Sequence, residues 1–382
     1  MLLDRLISFF ASLRLTVALL VLGFVLVFTG TLAQVDRGLY EVQNQFFRSF
    51  IVWWTPHGSS WRIPCLPGGY LVGGMLVVNL VIAHFRRFTL ELNKAGLWLT
   101  HFGLITLITG QLLTDMLAHE SMLHLREGES RNYSEGEREV ELALINQTDS
   151  KVDEVVVIPQ RILMQEKLIT HPALPFTVKV RDYFVNSKVT ERAANSVEPP
   201  AATQGAGAQA VVEERPKVTD TEHRDIPSVV VELVASGKSL GSWLGSEFVE
   251  HEQTFTVGKD SWRLALRPRR FYKNFSVQLK KFDHDVYPGT DMPKNFASRV
   301  LVQRPDTGES REVLIKMNNP LRYAGDTFYQ ASFDPDDHGS VLQVVHNPSW
   351  LTPYFSCILV GIGLLWHFSV HLLGFTLKRK AA

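Results

Sequence analysis

The chain is short of cysteine, of net charge and of catalytic signatures. Two cysteines, Cys65 and Cys357, occur in 382 residues. They are too far apart for a CxxC, a zinc pattern or a CxxCH haem-attachment motif, which excludes a c-type cytochrome and a CxxC thiol oxidoreductase. Lys plus Arg and Asp plus Glu number 39 each, so the formal net charge is zero. Without a basic excess to neutralise phosphates, no nucleic-acid partner is expected. No HExxH, tight His/Asp/Glu cluster, paired carboxylates or activated nucleophile stands out, and no catalytic residue is assigned. "DPDDHG" (334–339) lacks the spacing and terminal Glu of an EF-hand and reads as a solvated turn. There is no internal repeat.

What is present is strongly segregated. Apolar residues gather at the two ends, and charged residues fill the middle. Four runs approach the ~20 residues needed to cross a bilayer: 15–32, 70–85, 97–113 and 351–375. The first is longer than a usual signal-peptide core, and no A-x-A site follows, so an uncleaved helix is expected. Arg5 and Arg14, then Arg86, Arg87 and Lys94, then Lys378, Arg379 and Lys380 all fall on one side of a four-span chain. The positive-inside rule makes that side cytoplasmic.

The middle alternates with period two in stretches such as "REVELALIN" (138–146), "FTVKVRDYFV" (176–185) and "SVVVELVA" (228–235), which predicts half-buried antiparallel strands. The expected fold class is a membrane protein: four transmembrane helices plus a large β-rich extracytoplasmic domain between the third and fourth helices. The expected divisions are a cytoplasmic N-terminus and first helix (1–33), an extracytoplasmic loop (34–69), the second and third helices (70–113), the β-rich domain (114–348), and the last helix with its cytoplasmic tail (349–382). Within the domain, 193–216 is rich in Pro, Gly and Ala without an aromatic residue. It reads as a disordered insertion.

Three stretches carry a resemblance: "SLRLTVALLVLGFVLVFTGTLAQ" (12–34), "FDHDVYPGTDMPKNFASRVLV" (282–302) and "NNPLRYAGDTFYQASF" (318–333). Together with the order of helices and strands, they resemble the ResB (CcsB) family of System II cytochrome c biogenesis. The resemblance implies a bacterial inner-membrane protein whose large domain faces the periplasm. It implies work with a CcsA/ResC-type membrane protein that delivers haem b outward and joins it to the CxxCH of apocytochrome c, with a thiol-reducing protein as a further partner. The Trp- and Asp-rich haem-handling motif belongs to CcsA. "WWTPHGSSW" (53–61) lacks that pattern, so no ligation site is placed here.

The membrane runs contain histidines, and intramembrane ionisable residues are functional sites by default. His101 is the candidate ligand to haem iron, a reading the resemblance supports because the family places a haem-binding histidine in the membrane part of this subunit. His84 stands beside Arg86 and Arg87 at the end of the second run, where the three suit haem propionates. His367 and His371 share a helix face. His371 matches His101 in depth, whereas a structural bond to a helix carbonyl is expected for His367. Two other functions remain open at this point: a b-type electron-transfer cytochrome using His101 with His371, and a haem-free scaffold for apocytochrome. In the motif 318–333, Gly325 is expected in a positive-φ turn, with Phe328 and Tyr329 alternating between core and surface.

Overall fold

The computed structural model describes residues 2–56, 61–86, 89, 91–149, 151–193, 197–220, 223–249, 251–289 and 293–381. The chain divides into two compact units, Met1–His119 with Thr219–Thr221 and His346–Ala382, and Glu120–Val218 with Glu222–Val345. The helices are α1 (Leu2–Phe10), α2 (Leu13–Arg37), α3 (Leu39–Val42), α4 (Gly69–Arg86), α5 (Ala95–Leu117), α6 (Gln160–Gln165, in the second unit) and α7 (Thr352–Ala381).

Four helical segments, Leu13–Arg37, Gly69–Arg86, Leu92–Leu117 and Thr352–Leu377, are long and apolar enough to cross a membrane. Their bounds differ from the apolar runs. Hydropathy fades at Gln34, but the backbone ladder continues through Arg37. It stops where Gly38 takes φ 76° and its N–H donates to Gln34 O, as a C-terminal glycine does. Likewise α5 starts at Ala95 and runs past 113 to Leu117. The expected loop 34–69 is largely built structure: α3, a π-helix at Gln43–Phe47, and a hairpin pairing Ile51–Trp54 with Ile63–Pro67.

Two devices hold the helices together. Asn79 is buried in α4. Its Nδ2 donates to Phe10 O (2.5 Å) and Ser12 O (3.2 Å), and its Oδ1 accepts from Thr16 Oγ1 (2.7 Å). Water cannot satisfy a carboxamide among apolar helices, so these bonds fix the elbow between α1 and α2. The second device is a seam of small residues. Gly96, Gly103 and Gly110 recur every seven residues along α5 and are all buried. A Cβ on Gly96 would lie 2.5 Å from Gly363 O and 2.6 Å from His367 N; one on Gly110 would meet Thr352 Cγ2 at 2.2 Å. Helices α5 and α7 therefore run antiparallel at close approach, as small residues permit inside membranes.

The second unit is β-rich, with a ten-stranded and a four-stranded sheet among the described residues. Its spine is the 27-residue strand Asp260–Val286, paired antiparallel with Ser130–Asn146 from Trp262↔Asn146 to Gln278↔Ser130. The register shifts between Pro268 and Arg270 and again between Tyr272 and Val277. Proline removes a ladder donor at the first shift. Above the shifts the strand gives Leu264 and Leu266 to one hydrophobic cluster, with Leu142, Val178 and Val231. Below them it gives Val277 and Leu279 to another, with Leu123, Val300, Phe328 and Leu342. Residues 140–145 are buried in succession instead of alternating. The single carboxylate among them, Glu141, is met by Arg267 at 2.9 Å.

The motif at 318–333 forms the hairpin Leu321–Tyr323 with Asp326–Phe333. Ala324 (φ 50°) and Gly325 (φ 88°) make its two-residue turn, the primed type that matches strand twist. Phe328 is fully buried and Tyr329 is exposed. Beneath the turn, Lys273 Nζ lies 2.6 Å from Asp326 Oδ2, with both side chains under 10% exposed. Asp326→Ala strands a buried ammonium and is expected to cost about 3–5 kcal/mol. Thermal melting of the detergent-solubilised protein reads the loss. Lys273→Met combined with Asp326→Leu should recover most of it, and equal melting of all three proteins would contradict the argument.

The expectation of a disordered insertion at 193–216 is corrected. Residues 194–196 lie outside the described residues, but the rest is folded. Gly205–Gln209 forms a 3-10 turn, and Ala210–Glu214 pairs with Ser187–Glu191. Ala202 and Ala210 pack in a cluster with Val230 and Leu244. Gly207 sits where a Cβ would be 2.5 Å from Ala202 Cβ and 2.8 Å from Leu244 Cβ. Small side chains make this contact by close approach, which counting hydrophobicity does not register. Deleting 197–216 uncovers Val230 and Leu244. At about 1.5–3 kcal/mol per exposed side chain, the β-rich unit should lose roughly 3 kcal/mol or more. An unchanged melting temperature would mean that the segment is dispensable.

The turn 334–339 is tied down by two histidines distant in sequence, His124 and His284, and by its own His338. His124 Nε2 lies 2.9 Å from Asp334 Oδ1, His284 Nδ1 lies 3.0 Å from Asp337 Oδ1, and His338 Nδ1 lies 3.4 Å from Glu127 Oε2. Among the described residues no group of His, Cys, Asp and Glu is arranged to hold a metal ion.

Candidate functional site

His101 stands six residues into α5, about 9 Å from its start at 1.5 Å per residue. The glycine seam dictates which way it faces. At about 100° per residue, position 101 lies roughly 140° from Gly96 and 160° from Gly103, opposite the face given to α7. It therefore looks toward α4, where its ring centroid is 6.2 Å from that of His84. Trp98 packs edge-on against His84 at 4.2 Å. Trp98 Nε1 also donates to Thr89 O (3.2 Å), and Trp366 Nε1 of α7 donates to Leu92 O (2.9 Å), so indoles hold the connector ahead of α5.

His84, Trp98 and His101 line a cavity of about 340 Å³ with apolar walls from Leu13, Leu80 and Leu97. The α1–α2 elbow and Asn79 form part of the same wall. His101 Nδ1 is 2.8 Å from Leu97 O. A carbonyl only accepts, so Nδ1 is the donor in this bond, and the tautomer with its single proton on Nδ1 carries its lone pair on Nε2. That is how a ligating imidazole is prepared: one nitrogen fixed by a backbone carbonyl, the other free to coordinate. An imidazole nitrogen in an apolar slot has the chemistry that a haem iron, as cargo, would require.

Several sequence expectations change here. Arg86 donates to Ser8 Oγ at 2.8 Å and is not among the residues lining the cavity; Lys94 is. Lys94 Nζ lies 3.0 Å from Glu91 Oε1 in an exposed pair, which holds it weakly. Arg87 lies outside the described residues. His371 is not brought to His101: its ring contact is with His367, at 4.4 Å. This follows from the seam, which turns His101 away from α7, and it leaves a shared His101–His371 haem without geometric support. His367 was expected to bond a carbonyl, but its Nδ1 is buried with no hydrogen-bond partner. Lys94, Trp98 and His101 fall at i, i+4 and i+7, one helix face. That spacing was available in the sequence and marks Lys94 and Trp98 beside His101.

Residues 91–341 match the model of the ResB-like family. The chain belongs to that family. It is also 25% identical over 301 residues to Protein NrfI of Wolinella succinogenes, an alignment covering 77% of this chain. This ResB-like chain spans 29% of the length of NrfI. The match includes α5 and its histidine and ends before α7, within the β-rich unit's last strand, Gly339–His346. Family membership and four apolar helices together make this a membrane protein.

Proposed function

We propose that this chain is the ResB-type subunit of a bacterial cytochrome c synthase. Its four apolar helices span the inner membrane with both termini in the cytoplasm, and its β-rich unit stands in the periplasm. Haem b is its cargo, received in the membrane and passed outward with a CcsA/ResC-type partner for attachment to the CxxCH of an apocytochrome c whose thiols a reducing protein keeps available. Thioether chemistry belongs to the partner.

The observation that carries this reading is the set imidazole of His101, with its Nε2 lone pair available in an apolar slot between two apolar helices. His101 Nε2 would hold the haem iron, and His84 and Lys94, on the same cavity, would meet the propionates. At about 340 Å³ the cavity lies at the small end of the usual range for small-molecule sites. The rest of the macrocycle is left for a partner to cover, which favours a shared site.

The test is to purify the chain with a co-expressed CcsA-type protein and record its absorption spectrum. A stoichiometric haem, together with maturation of a reporter cytochrome c that depends on both proteins, is expected. A complex that matures the reporter while carrying no haem on purification would favour the haem-free scaffold. Lys94 on the cavity rim adds a sharper expectation. Lys94→Ala should weaken haem retention by about fivefold, the scale of one lost exposed ion pair, whereas Arg86→Ala should stay within about twofold. Titration of stripped protein with hemin compares the two, and the reverse order would return Arg86 to the site.

A further inference from the structure

A second and larger cavity, of about 560 Å³, lies between α4 and α5 at the end opposite His84 and His101. No histidine lines it. Its α4 wall is made by Gly69, Gly73 and Gly74, its α5 wall by Ile108 and Leu112, and its rim by the π-helix segment and Arg48. Short π-helical turns recur at functional sites.

The rim chemistry selects the occupant. Asp115 accepts from Arg48 Nε at 2.7 Å and from the Tyr70 hydroxyl. The single cation therefore already faces a carboxylate, and the rim offers no net positive charge to an anionic headgroup. Donors remain nonetheless. The carboxamides of Gln43 and Gln111 and the terminal nitrogens of Arg48 have no hydrogen-bond partner among the described residues, and Gln111 is an exposed amide within an apolar helix. Unpaired amides at membrane depth are costly. An acyl chain has no acceptor to offer them.

The opposite wall is flat. A Cβ on Gly73 or Gly74 would meet nothing within 4 Å, so glycine there keeps space that no protein atom uses. We propose that this cleft binds a molecule of the isoprenoid quinone class. The planar ring lies against the glycine backbone, ring carbonyls accept from Gln111 and Arg48, and the tail leaves along Val77 toward the lipid. The volume lies within the range of small-molecule sites. The claim is one of binding and does not depend on the haem reading.

The test uses the full chain in phosphatidylcholine nanodiscs, photolabelled with an azido derivative of decylubiquinone and mapped by mass spectrometry. Label is expected on residues 69–77 and 108–115, displaced by excess decylubiquinone and not by oleate. Gly73→Leu and Gly74→Leu should each cut it at least tenfold. Both should fold, because the added side chain enters open space. Gly361→Leu, equally open but on α7, should label as wild type. Gln111→Leu should reduce labelling several-fold, and His101→Ala should leave it unchanged even if it abolishes haem binding. Label spread over all four spans, displacement by oleate, or undiminished labelling in both glycine variants overturns the proposal.

Discussion

His101→Ala strips most of the haem from the purified complex while the protein still accumulates near its wild-type level. Ala is the best helix former, so α5 keeps its propensity to form and insert. The Leu97 carbonyl loses its bond from the imidazole Nδ1 but keeps the ordinary bond from the backbone N–H of residue 101, so no acceptor is orphaned. What disappears is the nitrogen proposed to hold the haem iron. Changes even to groups that only orient a ligand cost 10–100-fold in metal affinity, so at least a tenfold loss of haem is expected here. Maturation of a reporter cytochrome c should fall in parallel. Added imidazole, small enough for the vacated space, should restore part of both. His84→Ala, which removes a neighbour but not the set lone pair, should lose less haem than His101→Ala. Full occupancy and normal maturation in His101→Ala would leave His101 a core histidine bonded to its own helix.

Gly96→Leu acts on a different property and should reduce the folded protein itself. The first atoms a Cβ meets at Gly96 are backbone: Gly363 O, then His367 N, at 2.5 and 2.6 Å. Backbone cannot rotate aside, so α5 and α7 must separate along the seam. Overpacking of this kind costs about 1–3 kcal/mol and sometimes more; leucine against a helix backbone belongs at or above the upper end. Little protein should survive detergent extraction, and what survives should melt well below wild type. Gly103→Ala provides a graded comparison. Its nearest neighbour is Val360 Cγ2 at 2.7 Å, a side-chain tip, with Ser356 O at 3.0 Å. It should cost less than Gly96→Ala. A Gly96→Leu protein extracted and melting like wild type would mean that α5 and α7 do not meet as described.

The sequence made the four apolar helices, the strand-rich middle and the family legible because each rests on local signals: hydropathy over about 20 residues, alternation over about eight, and contiguous motifs. The neighbours of His101 were only half legible. Lys94 and Trp98 share its face by spacing alone, yet Arg86 is closer to His84 in the chain and drew the propionate role. Its bond to Ser8 joins residues 78 positions apart, and no local pattern announces it. His371 was matched to His101 by depth. Depth says nothing of azimuth, which the glycine seam decides. The folded stretch 197–216 was hidden for another reason: Ala and Gly read as disorder when counted by composition but pack closely when a strand is there to receive them. The second cavity was invisible because it is made of what glycines lack.

The strand Asp260–Val286 gives side chains to both of these hydrophobic clusters of the β-rich unit, so the two share a backbone. A protease that reaches one loop finds no linker at which to release a stable half, because every cut that frees one cluster truncates the strand the other depends on. For the same reason, a pull on one cluster reaches the other as tension along covalent bonds, without waiting for side chains to repack. The β-rich unit thus behaves mechanically as one body with two cores. A load placed on either core would be felt at the other.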